Sequence, residues 1–122
     1  MPVECRSMNP DRTNALVHAV SAWIDQSPDN LHRDPEALLW GRVAKVAEEA
    51  GEAINALVGV TGQNPRKGRS ATRQELEYEL LDVAMTALTA VAHLRAEDPE
   101  PADLLGLLGG HVEAVARRAG LV

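Results

Sequence analysis

Between Ala71 and Arg95 the chain is apolar at almost every angle of a helix. At about 100° per residue, Leu76, Leu80, Leu81, Val83, Met85, Leu88 and Val91, with four alanines, cover most of the circumference. Glu75, Glu79, Asp82, Thr86, Thr89 and His93 fall in a stripe only about 80° wide. A helix that rests on a core and faces water shows a polar arc nearer half the circle. This segment is therefore expected to be enclosed on several sides, with its polar stripe facing an internal groove.

The composition says what encloses it. There is no Phe, one Tyr and two Trp, so a core must be built from Ala, Val and Leu. Such residues without strand-type alternation favour close-packed helices. Two helix starts are explicit: "NPDR" offers Asn9 as N-cap before Pro10 and Asp11, and "DPEA" repeats the device with Asp34, Pro35 and Glu36. The first helix carries Leu16, Val20 and Trp23 on one face and ends by "QSPDN". The second runs from Pro35 to about Val58, and the Gly, Asn, Pro and Arg-rich stretch "GVTGQNPRKGRSATR" separates it from the third. A fourth is expected over Pro101 to Ala119, with Gly109 and Gly110 its weakest point. Four helices with short connections and no strand signal read as an all-α, four-helix bundle. At 122 residues it is a single domain spanning 1–122.

A net charge of −6 disfavours non-specific binding to nucleic acid or to a membrane surface. No apolar run approaches the ~18 residues of a membrane span, and "MPVECRSMNPDR" lacks a signal-peptide core. The lone Cys5 suits a reducing compartment, so a cytoplasmic location is expected. A phosphorylated substrate would need divalent cations or a local basic cluster to approach such an acidic chain.

The second helix carries Glu48, Glu49 and Glu52 within five residues. Like charges at helical spacing cost about 0.2–0.5 kcal/mol per pair. On the wheel Val43, Val46, Ala47, Ala53, Ile54 and Leu57 take one side, and Arg42, Lys45, the three glutamates and Asn55 the other. Alone, this is an ordinary solvated face with Lys45 and Glu49 as an i,i+4 pair. Beside the narrow stripe of the third helix it reads differently. Enclosed carboxylates persist when paired or metal-bound. Glu49 and Glu52 are spaced i,i+3, as are Glu79 and Asp82, so antiparallel neighbours would bring four carboxylates together with Glu48 flanking. An all-oxygen set favours Mg²⁺ or Mn²⁺ over zinc or copper. Neither helix has the Glu-x-x-His pair of a di-iron bundle. His93 lies about 16 Å along the helix from Asp82 and reads as a polar or capping residue.

The pair "EEAGE" (Glu48 to Glu52) and "ELLD" (Glu79 to Asp82), 26 residues apart, resembles the MazG-like family of the all-α nucleoside triphosphate pyrophosphohydrolases. The resemblance covers about Leu38 to Leu94. It implies a four-helix bundle assembled as a homodimer or homotetramer, with Mg²⁺ as cofactor and Mn²⁺ as a substitute. It implies Glu49, Glu52, Glu79 and Asp82 as metal ligands, and Glu48 as a further ligand or, with Glu49, as a catalytic residue that orients or deprotonates the attacking water. The implied reaction converts a (deoxy)nucleoside triphosphate into the monophosphate and pyrophosphate, in a house-cleaning role on non-standard nucleotides. A phosphoribosyl-ATP or dUTP pyrophosphohydrolase of the same superfamily is an alternative, as is a non-catalytic helical protein that binds metal or a partner.

"PRKGR" supplies Arg66, Lys67 and Arg69, the densest basic cluster, and with Lys45 these are the candidate phosphate contacts. The loop lacks the G-K-[ST] ending of a P-loop. Trp23 and Trp40 suit the core or a subunit interface more than base stacking.

Overall fold

The computed structural model describes residues 4–122; the first three residues of "MPVECRSMNPDR" lie outside them. Among the described residues the fold is all-α, with helices α1 (Pro10–Asp25), α2 (Pro35–Thr61), α3 (Arg73–Leu94) and α4 (Leu104–Arg118) and no strand. Among the described residues no helix is long and apolar enough to cross a membrane.

The two proline-marked starts form as their residues dictate. The Asn9 side chain accepts from the Arg12 amide, and Asp34 accepts from Glu36 and Ala37. Other boundaries shift by a few residues, each for a local reason. Helix α2 continues past Val58 to Thr61 and stops at Gly62, whose left-handed φ of 69° lets its amide close onto Val58. Helix α3 starts at Arg73 rather than Ala71 because Thr72 and Glu75 form a reciprocal capping box. Helix α4 starts at Leu104, since Asp103 accepts from the Gly106 amide, and it stays helical through Gly109 and Gly110.

Helices α2 and α3 form an antiparallel hairpin. At its closed end Gly59 lies against Ala71, where a Cβ on residue 59 would come within 2.7 Å of the alanine side chain. At its open end Arg42 reaches the carbonyl of Thr89. Helix α1 packs on the later half of α3, and α4 touches both through its first turn. There Val17, Ala92 and Leu104 form the core, with Leu88, Val91 and Ala102 packed on it. Asn14 ties α1 to α4 by donating to Asp103 Oδ1 at 2.7 Å and accepting from the Leu105 amide.

The inner faces differ from the wheel. Helix α2 turns Arg42, Glu49 and Ala53 toward α3 and leaves Val43, Ile54 and Leu57 in water. Helix α1 buries Val17 and Ser21, and Leu16 and Trp23 are exposed. Helix α3 is well covered only from Thr86 onward, with Leu80, Leu81 and Met85 open. Small residues let two backbones approach, and polar groups that find partners between them stay inside. A hydropathy wheel registers neither effect.

Candidate metal centre

The hairpin places Glu49 of α2 beside Glu79 and Asp82 of α3. Each offers one carboxylate oxygen, and the three oxygens lie within 4.8 Å of one another. Glu79 Oε2 is shut off from solvent and has no hydrogen-bond partner. Its pKa is raised above the ordinary glutamate range, first by desolvation and then by the charges of Glu52, Asp82 and Glu49. Glu52 thus bears on the cluster electrostatically but stands outside the tight trio.

Glu48 points toward solvent and holds Lys45 Nζ at 3.0 Å, and the same nitrogen lies 3.4 Å from Glu49. The hydrogen bond to Glu48 is the main reason the Lys45 pKa is raised. Lys45 is therefore a fixed counter-charge at the rim of the trio. The basic loop divides. Lys67 lines a polar recess of about 450 Å³ with Glu52, Asn55, Ser70, Glu75 and Glu79. Arg69 turns to the Val60 carbonyl and Arg66 is exposed, so neither shares that recess.

A second, more apolar cleft of about 540 Å³ opens on the other side of Glu49. Val20, Trp23 and Ile24 of α1 face Leu38, Gly41 and Lys45 of α2 across it, with Met85, Thr86 and Thr89 of α3 between. Trp23 stands on its lip, and Trp40 is exposed away from it. The carboxylate trio thus lies between an apolar cleft and a polar recess that carries a lysine.

Arg42 also lines the apolar cleft, although the wheel groups it with the solvated residues. It is buried and donates through Nη2 to Ser21 Oγ and, at 2.9 Å, to the Thr89 carbonyl. Of the two readings of His93 the polar one holds and the capping one does not: its Nδ1 pairs with Asp25 Oδ2 at 2.6 Å. One sequence signal bears on Arg42. It sits two turns before Glu49, on the angle that proves to face α3.

The raised Glu79 pKa carries a sign. A carboxyl raised on folding contributes stability that is fully present below the ordinary value of 4.5 and is lost as pH climbs through the folded-state value. The chelator-treated protein should therefore lose thermal stability over this rise, and Glu79→Gln should flatten that part of the profile. Added Mg²⁺ should restore stability to the wild type. An identical pH profile in Glu79→Gln would clear Glu79 of the effect.

No family model matches the chain, and no curated protein or solved structure does either.

Proposed function

We propose that this chain is a Mg²⁺-dependent nucleoside triphosphate pyrophosphohydrolase that works as a homo-oligomer. The observation that carries the reading is the trio Glu49, Glu79 and Asp82, gathered from two helices, with one oxygen of Glu79 buried and without a hydrogen-bond partner. Three converging carboxylates repel one another, and a hard divalent cation is what such an oxygen set accepts. Glu49, Glu79 and Asp82 would hold the ion, with Glu52 one turn along as a further oxygen donor. The ion would offset the charge of the triphosphate and lower the pKa of a bound water.

The surroundings suit the two halves of a nucleotide. The apolar cleft has the volume of a small-molecule site and room for a nucleoside. The recess on the far side brings Lys67 toward the outer phosphates. Water adds to the α-phosphorus, the bond from that phosphorus to the bridging oxygen breaks, and pyrophosphate departs. A carboxylate of the cluster takes the proton. Glu49 is better placed for this than Glu48, which Lys45 holds at the solvent side. The acidic motif pair and its spacing supply the phosphohydrolase part of the reading, by resemblance to the MazG-like enzymes.

The oligomer rests on surface area. The chain exposes 9277 Å², whereas a folded monomer of its mass exposes about 6,400 Å². Residues 4–9 lie outside any helix and account for part of the excess. The rest includes a seam along α2 in which Trp40, Val43, Ile54 and Leu57 recur at helical spacing without a charge among them, continued by Leu80 of α3. An interface of the size that obligate dimers use would cover it. Light scattering should give a mass of at least twice 13.1 kDa, and Ile54→Glu should reduce it. A monomer at micromolar concentration would refute the assembly while leaving the chemistry open.

The activity is tested by pyrophosphate release from a panel of ribo- and deoxynucleoside triphosphates, dUTP and phosphoribosyl-ATP, with and without Mg²⁺. Metal-dependent release from any of them supports the reading, and the preferred member names the subclass. No release from any, with Mg²⁺ still bound, would leave a metal-binding helical protein.

A further inference from the structure

Among the described residues Arg42 is the only charged residue that is fully buried, at 6% exposure. It joins three helices. Its Nη2 donates to Ser21 Oγ on α1 and to the Thr89 carbonyl on α3, and its Nε lies 3.8 Å from Asp25 Oδ1 at the end of α1. Asp25 continues the chain of contacts through Oδ2 to His93 Nδ1 on α3. Neither Arg42 Nε nor Asp25 Oδ1 has a hydrogen-bond partner, so each is held by the other's charge. Helices α1 and α2 otherwise barely touch.

An ion pair with one partner buried and the other half-buried is a poor source of stability, because desolvation offsets most of the attraction; what it can supply is a defined arrangement. Here it defines the apolar cleft. Val20, Trp23 and Ile24 of α1 form one wall, Leu38 and Lys45 of α2 the other, and Arg42 lies between them. The guanidinium fixes how far apart those walls stand. Arg42 lies two turns before Glu49 on the helix, and its guanidinium is turned to Ser21 and the Thr89 carbonyl rather than to the trio.

We propose that Arg42, Asp25 and His93 form a positioning clasp that locks α1 against the α2–α3 hairpin, so that the cleft is shaped for the organic half of the ligand independently of the carboxylate trio. Arg42 is thereby a positioning residue. The kinetic part of this inference rests on the proposed pyrophosphohydrolase reading; the structural part does not.

The test compares Arg42→Lys, Arg42→Met and Asp25→Asn with wild type in three measurements. Lysine keeps the charge but loses the planar fork that serves two acceptors at once. Amide hydrogen exchange in α1 should speed up by about tenfold or more in all three variants, with α2 and α3 little changed. Mn²⁺ affinity should stay within about twofold of wild type, because the trio keeps its ligands. For the best triphosphate of the panel, KM should rise about tenfold with kcat within about threefold, the signature of lost binding. A residue that only stabilised the fold would leave KM unchanged in folded variants. Unchanged α1 exchange, a matching fall in Mn²⁺ affinity, or failure of Arg42→Lys and Asp25→Asn to fold would each overturn the clasp. If the wild type turns over no triphosphate, the proposed activity fails, and exchange with Mn²⁺ affinity still decides the clasp.

Discussion

Asp82→Asn and Glu79→Gln should each lower Mg²⁺-dependent pyrophosphate release by at least ~10³-fold, with the helical content of the protein preserved. The size follows from the role assigned to the trio. A divalent ion at a phosphoryl group contributes several kcal/mol of charge stabilisation in the transition state. Each 1.36 kcal/mol corresponds to about a factor of ten in rate. Removing one of three close oxygens also weakens the hold on the ion, so raising Mg²⁺ should recover part of the loss. Glu52→Gln should cost less than either, since Glu52 stands outside the tight trio. Glu48→Gln should cost least, because that side chain faces solvent and pairs with Lys45. Pyrophosphate release against Mg²⁺ concentration for the four variants checks the order. Equal and small losses at all four positions would place the chemistry elsewhere. A large loss at Glu48 alone would restore it as the water-activating residue.

Leu104→Ala should be the most damaging single change to stability, at about 3–4 kcal/mol. Leu104 has no exposed surface and stands where α1, α3 and the first turn of α4 meet. Its neighbours Val17, Ala92 and Ala102 are held by their own helices or chain segment and cannot close the cavity. A domain of this size has about 5–15 kcal/mol in total, so the loss is a large share. The melting temperature should fall by ~10–15 °C in calorimetry. Leu107→Ala one turn later is the control. Leu107 is 40% exposed in the single chain, and its truncation should cost less than ~1 kcal/mol. A cost near that of Leu104 would mean that a second copy covers this face of α4.

Much of the fold is legible without coordinates because it is local. Pro10 and Pro35, each behind an Asn or Asp cap and ahead of an amphipathic run, mark two helix starts, and the Gly, Asn and Pro-rich stretch after α2 ends one. The boundary shifts at Thr72, Asp103 and Gly62 were also legible in principle, as capping residues sitting a few positions from the expected ends. The carboxylate positions are legible for the same kind of reason. Spacing of i,i+3 puts Glu79 and Asp82 on one stripe; the enclosure expected from the apolar girth of α3 is found only from Thr86 onward, with Leu80, Leu81 and Met85 open beside the two carboxylates.

What could not be read is which side of each helix meets which neighbour. The hydropathy of α2 favours Val43, Ile54 and Leu57 with Ala53 as the inner side; the fold keeps only Ala53 of these inside, buries Arg42 and half-buries Glu49. In the same way Asp25 and His93 are 68 residues apart and carry no mutual signal, and nothing local separates Lys67 from Arg66 and Arg69. Sequence by itself determined four helices and two carboxylate pairs, because these depend on residues within a turn or two of one another. Only the tertiary structure decided that Glu49, and not Glu52, completes the trio, and that a buried arginine ties α1 to the hairpin. Both outcomes depend on the rotation of α2 about its own axis, which is set by close approach of small residues and by the partners that polar groups find across the chain.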